Sequence, residues 1–117
     1  MKIYKTYKHN PPHLFRSNAK YFIIGATYKK KYHLEEESAK QRLIESINKG
    51  FTDYHWKLED WVILHNHYHL IVEALETAET LSRIIKDIHK FTAMWIKKNI
   101  VSAKNEEKSG GTIGIYV

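Results

Sequence analysis

The chain has 117 residues, 43% of them hydrophobic, which suits one domain with a modest core. Cysteine is absent, so disulfides and thiolate metal sites are excluded. No run of about 18 apolar residues exists to cross a membrane, and the N-terminus "MKIYKTYKHNPPHLF" lacks the apolar segment of a secretory signal, so a cytoplasmic location is the default expectation. A formal charge of +6 with 13% aromatic residues fits a nucleic-acid binder, among other small proteins.

Residues 1–19 are polar and basic, carry Pro11-Pro12, and read as an irregular arm. "KYFIIGATYKK" (20–30) is β-branched and aromatic and reads as a buried strand. "EEESAKQRLIESINKGF" (35–51) reads as a helix with an acidic start that suits the dipole and with Gly50 as its stop. Ala39, Leu43, Ile47 and Phe51 recur at i, i+4 and face the core. "HWKLEDWVIL" (55–64) is a second strand. Alternation puts Leu58, Asp60, Val62 and Leu64 on one face, and Lys57, Glu59, Trp61 and Ile63 on the other, so Trp56 and Trp61 are expected on opposite faces.

"HYHLIVEA" (67–74) is a third strand. Only His65-Asn66 separates it from the second, which suits a tight hairpin with Asn66 taking a positive φ. "TAETLSRIIKDIHKFTAMWIKKNI" (77–100) is the clearest helix, capped by Thr77 or Thr80 and striped by Leu81, Ile84, Ile85, Ile88, Phe91, Trp95 and Ile96. A flexible polar stretch (101–111) leads to a short final strand, "TIGIYV" (112–117). There is no internal repeat, and residues 1–117 read as a single domain. The order β-α-β-β-α-β predicts an α+β, ferredoxin-like split βαββαβ fold, an antiparallel sheet with two helices on one face.

Three of the eight histidines, His65, His67 and His69, stand at alternate positions in the most hydrophobic run of the chain. In a strand, His67, His69, Ile71 and Glu73 point one way and Tyr68, Leu70, Val72 and Ala74 the other. The second set is apolar and packs under the helices, which leaves the histidines on the open face. Two imidazoles about 7 Å apart at Cα can converge on one metal ion. Imidazole by itself leans toward zinc, copper or nickel. The same spacing also fits two hydrogen-bonded structural histidines. His65 is expected in the turn, and Glu73 shares the face as a substitute ligand or a surface carboxylate.

Arg83, Lys86, Lys90, Lys97 and Lys98 lie mostly off the apolar stripe of the last helix, where they can track phosphates or form a solvated face. Lys29, Lys30 and Lys31, flanked by Tyr28 and Tyr32, mix charge and rings as single-strand binders do.

"HNHYHLIVE" resembles the His-hydrophobic-His motif of the single-tyrosine HUH transposases, matching at Asn66, His67, Tyr68, His69 and Leu70. His65 stands where that family commonly has proline and Leu64 where it has methionine. "NPPHLFRSNAKYFIIGATYKKKYHL" and "LSRIIKDIHKFTAMWIKKN" are similar to its REP-associated branch, over about residues 9–100. The resemblance implies the same ferredoxin-like fold and a DNA nicking and strand-transfer enzyme acting on single-stranded or hairpin DNA. It implies a divalent ion, magnesium or manganese, on His67 and His69, no nucleotide cofactor, and often a homodimer built on the sheet.

The family's nucleophilic tyrosine lies on a helix after the last strand. These residues hold no counterpart of that helix, and Tyr116 is the only tyrosine after the motif. A terminal strand is a poor place to fix an attacking group. The resemblance therefore describes a truncated or decayed transposase that keeps its DNA- and metal-binding parts and has lost its chemistry. The alternatives are a non-enzymatic nucleic-acid-binding module with structural histidines, and a metal-binding or dimerising domain without DNA function.

Overall fold

The structure, a computed structural model, describes residues 19–100 and 114–116, the last of these by its backbone. Of the arm expected over residues 1–19 only Ala19 is described, and it is buried; the rest of the arm and the loop expected over 101–111 lie outside the described residues. The elements are β1 (Lys20–Thr27), α1 (Glu37–Asp53), β2 (Trp56–Ile63), β3 (His67–Ala74), α2 (Leu81–Asn99) and β4 (Ile115–Tyr116). They form one antiparallel sheet in the order β2-β3-β1-β4. Both helices pack on one face of it, the ferredoxin-like arrangement that the element order predicts.

Strand alternation places the core. On β3, Tyr68, Leu70, Val72 and Ala74 are buried, and on β1 so are Tyr21, Ile23 and Thr27. They meet Ala39, Leu43, Ile44, Ile47 and Phe51 of α1, and Leu81, Ile84, Ile88, Thr92 and Ile96 of α2. Each large apolar side chain removed from water here contributes about 1.5–3 kcal/mol. That burial fixes which face of β3 is left open, and so where His67 and His69 stand.

Several local expectations fail for identifiable reasons. Gly50 does not end α1. It lies inside the helix, where an added Cβ would stand 3.3 Å from both Ile84 and Ile88 of α2, so it permits the close crossing of the helices. The left-handed residue after the helix is His55, with φ 61°. β1 stops at Thr27, and residues 28–30 form a 3-10 turn with Lys29 and Lys30 at positive φ. Asn66 has no positive φ, although Leu64 and His67 do close a two-residue hairpin loop.

A register shift between Leu58 and Asp60 inserts Glu59 as an extra residue in β2. Trp56 then pairs with Ala74 and Trp61 with Leu70, so the two tryptophans share a face by pairing instead of opposing each other. Thr80 does not cap α2 through its hydroxyl, which instead accepts a 2.9 Å hydrogen bond from the Trp56 indole. Phe91 is 47% exposed, and Thr92 takes the buried place expected of it.

Gly25 pairs directly with Tyr68, and the tyrosine ring lies across it. A Cβ at Gly25 would stand 2.3 Å from Tyr68 Cε2, inside any tolerable contact. Gly25→Ala is therefore expected to lower stability by about 1–3 kcal/mol through overpacking, measured as a lower urea midpoint with an unchanged denaturant slope.

Candidate functional site

The open face of the sheet can be read as rows of cross-strand partners. Ala26, His67 and Leu64 form the row nearest the β2–β3 hairpin. Ile24, His69 and Val62 follow, then Phe22, Ile71 and Asp60, and finally Lys20, Glu73 and Lys57 at the far end. The histidines thus stand at one end of the face and a charged row at the other, with an apolar band between.

His67 and His69 are half-buried neighbours, with ring centroids 5.1 Å apart and ring planes at 70°. His69 also stacks on Phe22, at 5.7 Å. Partial burial first, then the charges that His69 and Lys30 would place nearby, hold the His67 pKa below the ordinary imidazole value. The neutral form, which can ligate a metal, is the one favoured.

The hydrogen bonds around Asn66 fix the His67 tautomer. The Asn66 side-chain amide donates to the Lys30 carbonyl at 3.1 Å, so its oxygen is left facing His67 Nδ1 at 2.8 Å. His67 Nδ1–H donates to that oxygen, and Nε2 keeps its lone pair. Ligating histidines are oriented in this way, through an N–H bond on the nitrogen away from the metal.

The basic turn after β1 is attached to the same hairpin. Thr27 N donates to the Asn66 carbonyl at 3.0 Å, and Leu34 N donates to that of His65 at 2.9 Å. Thr27 Oγ1 donates to the Lys31 carbonyl, and Tyr28 N to that of Gly114. These bonds hold Lys29 and Lys30 at positive φ (54° and 55°), which non-glycine residues adopt at a cost and which often marks functional turns. Lys29, Lys30 and Lys31 are exposed, and Lys30 is near enough to influence His67.

The other expected residues are placed elsewhere. His65 turns away in the hairpin, with Nδ1 3.1 Å from Lys40 Nζ and its ring against Tyr32. Glu73 stands in the charged row, two rows beyond His69, and is no substitute ligand for the pair. Arg83, Lys86 and Lys90 line a groove of about 500 Å³ with Tyr54, Ser82 and Asp87 on the helical side of the sheet, away from the histidines. In register, Tyr116 pairs with Ala26, which pairs with His67, so its backbone lies two strands from the pair. Strand spacing makes that about 10 Å.

Two imidazoles suit part of a divalent ion's coordination, with water or a ligand oxygen supplying the rest. Among the described residues, no group of three or more histidine or acidic side chains could hold a metal.

Sequence reasoning missed His89. Tyr68 OH lies 2.6 Å from His89 Nε2 in the core. Burial drives the Tyr68 pKa up and the His89 pKa down to about 4, so the phenol donates to a neutral imidazole. This bond ties the strand between the two site histidines to α2. The i, i+4 spacing of His89 from Ile85 was the available signal, masked by its neighbours Lys90 and Asp87.

No curated protein matches the chain. In the solved structure of a REP-associated tyrosine transposase bound to a REP hairpin, the same fold is found at 18% identity and a TM-score of 0.59. The match covers 86% of this chain and 53% of that one, so the chain spans about half the length of that structure. No helix among the described residues is long and apolar enough to cross a membrane.

His89 generates a pH prediction. Its folded pKa, about 4, lies below the unfolded value of 6.5, so the unfolded chain binds the extra proton first. Stability should be full above about pH 6.5 and fall by up to about 3 kcal/mol as pH drops toward 4. Urea unfolding across that window checks it, and the slope should flatten in Tyr68→Phe/His89→Leu, which removes both polar partners together.

The family model for IS200-like transposases matches residues 15–113, most of the chain and all of the sheet up to β4, and the chain belongs to that family.

Proposed function

We propose that these residues form the part of a transposase that binds single-stranded or hairpin DNA and holds a divalent ion, magnesium or manganese, on His67 and His69. The observation that carries the reading is the Asn66 amide. It leaves His67 Nε2 with its lone pair and anchors the lysine turn beside it, so exposed lysines and the candidate ligand pair share one end of the sheet. When bound, the ion would polarise a phosphoryl oxygen. The protein's own residues orient the ligand pair and concentrate the DNA backbone there.

In this reading Lys29, Lys30 and Lys31 meet the phosphates nearest the histidines. Arg83, Lys86 and Lys90 form a second, separate phosphate surface on the helical side, suited to a hairpin stem. The same reading takes residues 1–117 as one transposase-like domain acting in the cytoplasm. Homodimerisation is a competing use of the open face, because Val62, Leu64 and Ile71 leave apolar side chains exposed on it. Support for DNA as the partner comes from the family and from the hairpin in the matching structure.

We further propose that this 117-residue chain binds without forming a covalent link. Tyr116 belongs to a two-residue edge strand, and its backbone stands about 10 Å from His67 by strand spacing. Attack requires reacting atoms held about 3–3.5 Å apart.

One experiment tests both parts. A labelled DNA hairpin with a single-stranded tail is mixed with the chain and manganese across a salt series. Binding should fall steeply with salt, and Lys86→Glu/Lys90→Glu should weaken it alike for all sequences. A denaturing gel should show no protease-sensitive shifted band. Affinity that is flat in salt would contradict the DNA reading. A shifted band that vanishes in Tyr116→Phe would make Tyr116 a working nucleophile.

A further inference from the structure

The apolar band of the open face contains a depression of about 110 Å³ lined by Phe22, Asp60, Trp61, Val62, His69 and Ile71. It adjoins the metal-ligand pair, because His69 belongs to both. Its surroundings are unusual for a solvated strand face. Val62 and Ile71 are 44% and 39% exposed, and Phe22 stacks on His69 at an angle of 27°.

Resting on the DNA reading above, we propose that this depression is a subsite for one unpaired nucleobase of the bound strand. The ring of Phe22 with His69 supplies a stacking wall, and Ile71 and Val62 supply an apolar floor. A phosphate drawn to the lysine turn and the His67–His69 pair leaves its neighbouring base within reach of the next row of the sheet, where the depression lies.

Asp60 decides what part of the nucleotide enters. One of its carboxylate oxygens accepts the Trp61 backbone N–H at 2.8 Å, which fixes the side chain at the rim. A carboxylate repels a phosphate and accepts only hydrogen bonds, so it admits a base edge and keeps the backbone out. It favours bases with an exocyclic amino group, as in acidic contacts to the cytosine amino group. It disfavours thymine, whose two carbonyls flank its single ring N–H. The subsite would therefore read one position of the strand beside the metal pair, as adenine, cytosine or guanine over thymine.

The test is fluorescence anisotropy with synthetic DNA hairpins carrying a short 5′ or 3′ tail, with an abasic site moved through the tail one position at a time. The wild-type chain should lose about tenfold in affinity at one tail position, and thymine there should bind about fivefold more weakly than cytosine. Phe22→Leu, which keeps apolar bulk without the ring, should remove the abasic sensitivity. Asp60→Asn should erase the discrimination against thymine while leaving the salt dependence of binding unchanged. Intact, salt-sensitive hairpin binding with no sensitive tail position would overturn the subsite alone. Absence of hairpin binding at low salt would overturn the DNA reading and the subsite with it. Base-insensitive binding by a dimer that Phe22→Leu separates in sedimentation would assign the face to a second copy of the chain, and would also overturn the proposal.

Discussion

The site depends on one side-chain amide. Asn66 has two ends, and each is used: its N–H anchors the Lys30 carbonyl, and its oxygen accepts from His67 Nδ1. Without the first bond the amide has no fixed orientation, and without the second the His67 tautomer is undetermined. A neutral hydrogen bond is worth only about 0.5–1.5 kcal/mol to stability. Its consequence here is geometric. It sets which ring nitrogen keeps its lone pair and ties the backbone of the lysine turn to the histidine strand.

A second constraint comes from beneath the sheet. Tyr68 lies between the two site histidines in sequence, and its ring is buried across Gly25 with its hydroxyl on His89. Strand alternation allows only two settings for β3. Burying Tyr68 selects the one that puts His67 and His69 on the open face, and the missing side chain at Gly25 makes the space for it. The hydrogen bond to α2 then holds the strand against sliding. Core and site are two sides of the same three residues, His67, Tyr68 and His69.

Much of this is legible from period alone. The alternation in residues 67–74 separates core from open face, and the i, i+4 series Ala39, Leu43, Ile47, Phe51 locates the buried side of α1. What escaped sequence reasoning lies in contacts between distant segments. Glu59 breaks the alternation of β2, and nothing in "HWKLEDWVIL" marks it, because a bulge is set by pairing with β3 and by the twist it relieves. Gly50 carries the local signature of a helix stop, yet tertiary packing against Ile84 and Ile88 keeps it helical. Lys29 and Lys30 read as the end of a strand, and take left-handed geometry only because the hairpin supplies partners for their turn. The division of the lysines between two faces was equally invisible, since it depends on which side of the sheet each element covers.

The central claim is that His67, His69 and the lysine turn form one site oriented by Asn66. Its most direct test is manganese-induced line broadening in the NMR spectrum of the isotope-labelled chain. The account predicts that the amide signals of Lys30 and of Asn66 through His69 broaden first, that those of Arg83, Lys86 and Lys90 on α2 persist, and that His67→Ala/His69→Ala abolishes the pattern. Broadening centred on the acidic start of α1 at Glu35–Glu37, or an unchanged map in the double variant, would contradict it.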